Sequence, residues 1–339
     1  MIDQDPLEDS EHLKIDHAVM AEAQTLTDWH IDLKRPMTSV IFRISKITSG
    51  SSEVRPEPVP ESLFQIQRAL MLKLKKHEEG PGTASFTFDI RGMRFRSEKI
   101  RPGRYALRVV SSEVRTLEDL GLSPSAIEVL MDPDYRSGGL ILIAGSTGAG
   151  KSTTAAATVV GRLRKFGGYC LTLESPVECA FEGFHGAGYV EQIDASSTGF
   201  RLEVASAMRK FPAEIKSMFF FGEVIEENAA AELTRLIGRG HLVITTIHAK
   251  DTIRAIELLV SLAERGGEKF ARQLIGGNLL AVLHQQLIAR RPVIAATRIN
   301  EAMKNIISNS EANLFMLSSE IDLAKRQKMN RRSTDRVSA

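Results

Sequence analysis

The chain has 339 residues, 43% of them hydrophobic and 25% charged, with 44 basic and 42 acidic side chains for a net charge of +2. That length supports two domains with their own cores, and the near-even balance gives no general attraction to nucleic acid. Two cysteines, Cys170 and Cys179, exclude a four-cysteine zinc module and a disulfide scaffold and point to a reducing compartment.

The acidic opening MIDQDPLEDSEHLKID has no secretory or transit features, and no stretch approaches the roughly 20 apolar residues of a membrane span. A cytoplasmic protein with a flexible N-terminus over 1–20 is expected. SVIFRISKI (39–47) predicts a strand, and the Ser-, Gly- and Pro-rich 48–62 a loop. Leu63, Ile66, Leu70 and Leu74 recur at helical spacing. ASFTFDI, MRFRS and RYALRVV predict three short antiparallel strands, so that 21–112 reads as an α+β domain. Residues 113–138 read as a linker with one short helix. From 139 to 326 strands at 140–145, 169–174, 217–222 and 242–247 alternate with helical stretches, the rhythm of an α/β domain with a mostly parallel sheet. Its C-terminal part, from ARQLIGGNLLAVLHQQLIAR onward, reads as helical. Residues 327–339 are a basic, unpatterned tail.

The first of those strands runs into Gly145-Ser146-Thr147-Gly148-Ala149-Gly150-Lys151-Ser152, followed by Thr153 and a helix-forming run. This fits G-x-x-x-x-G-K-[ST] with the strand before and helix after that the motif requires. The glycines let successive backbone N–H groups turn inward on an anion, and the helix adds the positive end of its dipole. Lys151 can reach the β- and γ-phosphates and Ser152 can offer its hydroxyl to Mg²⁺. Average composition produces the bare pattern in roughly one chain in a hundred of this size, so with its context it predicts a nucleoside triphosphate site over 145–153.

Downstream strands end on groups that chemistry at such a site needs. LTLESPVE ends on Glu174 and Glu178, and Glu174 could hold a metal or its water. SMFFFGEV ends on Gly222-Glu223, where a carboxylate orients Mg²⁺ or the attacking water. GRGHLVITTIHAKD places His241 at the start of a strand and His248 near its end, roughly 23 Å apart, too far to share a metal. His248 is the better placed to sense a γ-phosphate. A solvated glutamate at a turn, or a structural histidine, is the alternative at each position.

In this order the four segments resemble the secretion-ATPase family, which comprises type II secretion, type IV pilus (PilT-like) and type IV secretion or conjugation ATPases. Gly145–Ser152 matches its Walker A, TLESPVE its aspartate box, Gly222-Glu223 its Walker B, and Gly240-His241-Leu242-Val243 with Ile247-His248 its histidine box. Glu174 follows Lys151 by 23 residues, His241 follows Glu223 by 18, and His248 follows by seven more. The departures are Ser175 for the box's second acid, Ile225-Glu226 for Arg-Asp after the Walker B glutamate, and a longer MRKFPAEIKS segment upstream.

The resemblance implies a PAS-like N-terminal domain, a RecA-like ATPase core and a six-membered ring acting on platform or secretion-channel proteins at the inner membrane. It further implies ATP and Mg²⁺ as ligands, with Glu223, Glu174, His241 and His248 as catalytic groups and N-terminal arginines (Arg96, Arg104 or Arg108) on the phosphates. With little chain ahead of the PAS-like region and no zinc-insert cysteines, pilus retraction or type IV secretion and conjugation is favoured. Ser175 and Ile225 leave open a weakly hydrolysing, regulatory subunit. A nucleic-acid translocase is disfavoured, because no basic strip interleaved with aromatics occurs.

Overall fold

A computed structural model describes residues 19, 22–23, 26–46, 52–80, 82–90, 93–110, 114–175, 177–195, 199–212, 216–289, 291–324 and 326. The acidic opening and the basic tail lie outside the described residues. The chain divides into two compact units, Met1–Ser112 with Pro176–Ala180, and Glu113–Ser175 with Phe181–Ala339.

The first unit is a six-stranded antiparallel sheet with one helix. Its strands are β1 (Leu26–Asp32), β2 (Val40–Lys46), β3 (Ser52–Pro58), β4 (Ser85–Ile90), β5 (Met93–Arg101) and β6 (Arg104–Val110), in the order β3-β2-β1-β6-β5-β4. Helix α1 (Phe64–Glu79) follows a 3₁₀ turn at Glu61–Leu63. Leu63, Ile66, Leu70 and Leu74 form its buried stripe, against Trp29, Ile31, Ile41, Phe95, Tyr105 and Leu107. Burial alternates from Met93 to Glu98, which turns Arg94 and Arg96 away from the core face that Met93 and Phe95 occupy.

The expected loop at 48–62 is corrected: β3 pairs with β2 along its whole length, Val40 opposite Pro58 through Lys46 opposite Ser52. A strand carrying Pro56 and Pro58 is possible there because β3 is an edge strand, where a missing N–H costs no ladder bond on the open side.

The second unit is an eight-stranded sheet flanked by helices. Its strands are β7 (Gly139–Gly145), β8 (Gly168–Glu174), β9 (Gly183–His185), β10 (Gly188–Asp194), β11 (Ser217–Phe221), β12 (Leu242–His248), β13 (Leu279–Ile288) and β14 (Arg291–Arg298). The order is β14-β13-β7-β12-β11-β8-β10-β9. The inner six are parallel, and β14 and β9 pair antiparallel at the two edges. Covered on both faces, the inner strands are near-continuous apolar runs such as GLILIAG and SMFFF. The helices are α2 (Pro124–Leu130), α3 (Lys151–Phe166), α4 (Phe200–Lys210), α5 (Glu227–Ile237), α6 (Thr252–Arg265), α7 (Ala271–Asn278) and α8 (Glu301–Ser308). Along α3 the buried side chains include Ala155, Ala156, Ala157, Val159 and Val160, small enough to bring that helix close to the sheet.

The expectation of a helical C-terminal part is corrected for 279–298, which forms the β13–β14 hairpin. LLAVLHQQLI is an apolar run without strict alternation, because β13 lies between β7 and β14 and is largely covered. Such a run does not distinguish strand from buried helix by period.

Candidate nucleotide-binding site

Register aligns the carboxyl ends of the parallel strands. In the β7–β12 pair Gly139 faces Leu242 and Gly145 faces His248. In β8–β11 Leu173 faces Phe221, and in β11–β12 Phe221 faces Thr245. Gly145, Glu174, Gly222-Glu223 and His248 therefore lie together at one edge, where α/β sheets bind ligands. His241 precedes β12 at the opposite edge, its carbonyl accepting from the Gly139 N–H at 3.0 Å. A seven-residue strand thus separates it from the loop, and the structure does not bring His241 to the predicted site.

The loop itself is a tight turn. Ser146, Thr147 and Gly148 are exposed at its tip, Ala149 is buried, and the Ala149 N–H donates to Ser146 O at 3.2 Å. Gly150 caps α3 with φ of 82°, a left-handed conformation suited to glycine. Lys151 and Ser152 then open α3, with Ser152 half-buried and Thr153 exposed.

The Lys151 ammonium, on a residue only 6% exposed, donates to Ser146 O at 3.1 Å and lies 3.7 Å from Glu223 Oε1. It also lies 3.4 Å from His248 Nδ1, and His248 Nε2 is 2.9 Å from Glu223 Oε1. An ammonium has only donors, so His248 Nδ1 accepts and the ring proton sits on Nε2, where it donates to Glu223. Lysine from the start of α3, and glutamate and histidine from two separate strand ends, form one connected cluster.

Latches at the strand ends hold Glu223 there. Gly222 N–H donates to Leu173 O at 3.0 Å, Val224 N–H to Thr246 O at 2.9 Å, and Thr246 Oγ1 to Gly222 O at 2.6 Å. A Cβ at Gly222 would stand 2.9 Å from Glu174 Cγ, so glycine is what lets the buried Glu174 pack beside the Glu223 turn. Gln192 of β10 donates to Glu174 Oε1 at 3.1 Å while its own Oε1 accepts from the Phe181 N–H at 2.7 Å. With both ends of its amide engaged, Gln192 fixes one carboxylate oxygen of Glu174. Gln285 of β13 reaches the loop directly, its Nε2 donating to Ala149 O at 2.6 Å. Neither glutamine belongs to a short motif, and only the sheet order brings them to this edge.

Of the family departures, Ser175 and Ile225 are exposed: Ser175 directly follows Glu174, and Ile225 is 67% exposed two residues after Glu223. The predicted arginines lie in the first unit. Arg96 pairs with Glu98 at 3.4 Å and with Glu178, of the segment that clusters with that unit, at 3.1 Å. Arg104 lies 3.9 Å from Asp32, and Arg108 pairs with Asp28 at 2.9 Å.

Residues 81–332 match the family described as Type II/IV secretion system protein. The chain belongs to that family. The uncharacterized protein YggR of Escherichia coli (strain K12) is 32% identical over 183 residues, which is 54% of this chain and 53% of that protein. The type IV pilus retraction ATPase PilT of Pseudomonas aeruginosa is 28% identical over 209 residues, 60% of this chain and 58% of that one. The matches to this chain thus span little more than half the length of either relative. The fold is that of the pilus retraction motor PilT, whose crystal structure carries bound ADP: the TM-score is 0.67 at 24% identity, over 92% of this chain and 90% of that one. The second unit accordingly has the fold of a RecA-like core.

Proposed function

We propose that the protein is a P-loop ATPase that powers a pilus or secretion machine, retraction or type IV secretion being the favoured settings. One observation carries this reading: Lys151, Glu223 and His248 converge at the carboxyl edge of the sheet, beside the Gly145–Ser152 loop. ATP would lie on residues 145–153, its phosphates against the loop amides and the start of α3. Glu223 is the base or water-orienting group, and His248, hydrogen-bonded to it, is the group that senses the γ-phosphate. Lys151 neutralises charge on the phosphates, exchanging its contact with Glu223 for the nucleotide. Arginines of the first unit, Arg96, Arg104 and Arg108 being the candidates, supply further positive charge in the ring-shaped hexamer that the family resemblance implies.

Mg²⁺ fits this donor set. Among the described residues no three or more His, Cys, Asp or Glu side chains gather into a metal cage. Magnesium in nucleotide sites takes one or two protein oxygens and completes its shell from phosphate and water. The Ser152 hydroxyl would hold it, with Glu174 supporting its water shell, and it would supply charge neutralisation between the β- and γ-phosphates. Among the described residues no helix is long and apolar enough to cross a membrane, so attachment at the inner membrane would run through partner proteins.

The deciding experiment is phosphate release from MgATP by the purified chain, with binding followed by calorimetry. Lys151→Ala should abolish binding, and Glu223→Gln should retain binding while losing at least about a hundredfold in turnover. Absence of MgATP binding by the folded wild-type chain would overturn the proposal. Binding without turnover would instead favour the regulatory-subunit reading, for which exposed Ile225 in place of an arginine is the specific motive.

A further inference from the structure

Gln285 sits at the middle of β13, 1% exposed, and nothing in the loop motif requires it. Its side-chain Nε2 donates to Ala149 O at 2.6 Å. A carbonyl only accepts, so the neighbour itself fixes which end of the amide faces the loop. Gln285 Oε1 is buried without a hydrogen-bond partner in the structure. Leaving one acceptor unpaired in a buried place is costly, and the side chain keeps this orientation because turning the amide would set two acceptors against each other.

The backbone of the same residue presses on the loop's other end. A Cβ at Gly145 would lie 2.3 Å from Gln285 O, and one at Gly150 would lie 3.1 Å from Gln285 Nε2. At Gly145, the motif's first glycine, the β13 backbone comes too close for a side chain, and at Gly150, its last, the Gln285 amide lies near enough that it would have to shift to admit one. One residue of a neighbouring strand touches the loop at positions 145, 149 and 150.

We propose that Gln285 is a positioning residue for phosphate binding, acting through the Ala149–Gly150 peptide plane. In a planar trans peptide the C=O and the following N–H point in opposite directions. Holding Ala149 O against β13 turns the Gly150 N–H away from the strand and into the concavity of the loop. That N–H is one of the amides a phosphate oxygen would meet, so the glutamine acts on the nucleotide without touching it. The inference rests on the reading that the 145–152 loop binds a nucleoside triphosphate.

Two near-isosteric substitutions test it in the full chain. Gln285→Met keeps the volume and removes the donor, and Gln285→Glu faces a carboxylate oxygen to the Ala149 carbonyl. Binding of MgATP and MgADP is measured by calorimetry and turnover by phosphate release. The expected result is about tenfold weaker binding of both nucleotides for Gln285→Met and a larger loss for Gln285→Glu. In the Met variant KM should rise by about the same factor, with kcat changing less than KM, because the amide contact is shared by ground and transition states. A residue that only stabilises the fold would instead lower the amount of active protein and leave the dissociation constants unmoved. Met is an ordinary core side chain, so that variant carries the test should the Glu variant fail to fold. Wild-type-like affinities in a folded Gln285→Met variant, with Lys151→Ala abolishing binding in the same assay, overturn the inference and leave the nucleotide reading standing. No binding by the wild-type chain overturns both.

Discussion

His241 and His248 bracket a single strand, and their surroundings separate their chemistry. His248 is hydrogen-bonded into the Lys151–Glu223 cluster, whereas His241 Nδ1 lies 2.5 Å from Ser217 Oγ, with the rings of Phe211 and Phe219 beside it. Burial, and then the charge of Arg239, push the His241 imidazole below its ordinary range. The folded protein therefore takes up this proton at lower pH than the unfolded chain does. Between the two values the unfolded chain binds more protons, so stability falls as pH falls through the ordinary histidine pKa of about 6.5. His241→Gln removes that proton uptake together with the imidazole's bond to Ser217, costing about 1 kcal/mol at pH 7.5. Urea midpoints of the two proteins should then converge as pH is lowered from 7.5 to 5. A gap that is constant or widens with acid would contradict the assignment. His30, also lowered by burial and then by Arg104, is common to both proteins and cancels from the comparison.

Among the elements, α7 and α8 show how two glycines side by side can have opposite roles. A Cβ at Gly276 would fall 2.3 Å from Ser308 Oγ and 2.7 Å from Ser308 N, while one at Gly277 would meet nothing within 4 Å. Arg272 of α7 strengthens the same junction, donating to Ile307 O at 2.9 Å and Ala312 O at 3.1 Å around the end of α8. Alanine gains about 1 kcal/mol over glycine in a helix interior, but overpacking against backbone costs about 1–3 kcal/mol. Gly277→Ala should raise the thermal midpoint by a few degrees and Gly276→Ala should lower it, a sign difference that scanning calorimetry resolves. Equal shifts would mean the helices part easily.

The same scale explains what could be read from the chain. Amphipathic α1 and the inner strands β7, β8, β11 and β12 were legible, because each buries the side chains its period displays. Six strands were not: β1, β9, β10 and β14, which the sequence pattern did not single out, β3, whose prolines imitate a loop, and β13, whose coverage hides its period. The loop motif and the acids at strand ends were legible for a related reason, since a strand that stops on a glycine or carboxylate announces the ligand edge. Gln192 and Gln285 were not, because a glutamine amide has no spacing signature and acquires its role only when β10 and β13 are set beside the loop's neighbours.

For the whole molecule, the open matter is where transition-state charge is neutralised. Two and three residues after Glu223 in sequence the chain carries exposed Ile225 and Glu226 rather than a second cation to join Lys151, and within the first unit Arg96, Arg104 and Arg108 each stand beside a carboxylate. In the proposed ring, arginines act across copies and each site depends on its neighbours, so subunits cannot hydrolyse independently. Mixing tests this directly. Wild-type chain is combined with Lys151→Ala chain at fixed total concentration, and phosphate release is measured across the mixing ratio. Independent sites give activity proportional to the wild-type fraction. Coupled sites give a curve that sags below that line, since one inactive copy stalls others; at equal mixing, activity should fall to about a quarter of the unmixed wild type if each turnover needs one competent neighbour beside the acting copy, and lower if it needs more. A straight line would remove the coupled ring and leave a P-loop enzyme that works one copy at a time, with its compensating cation to be sought within its own chain.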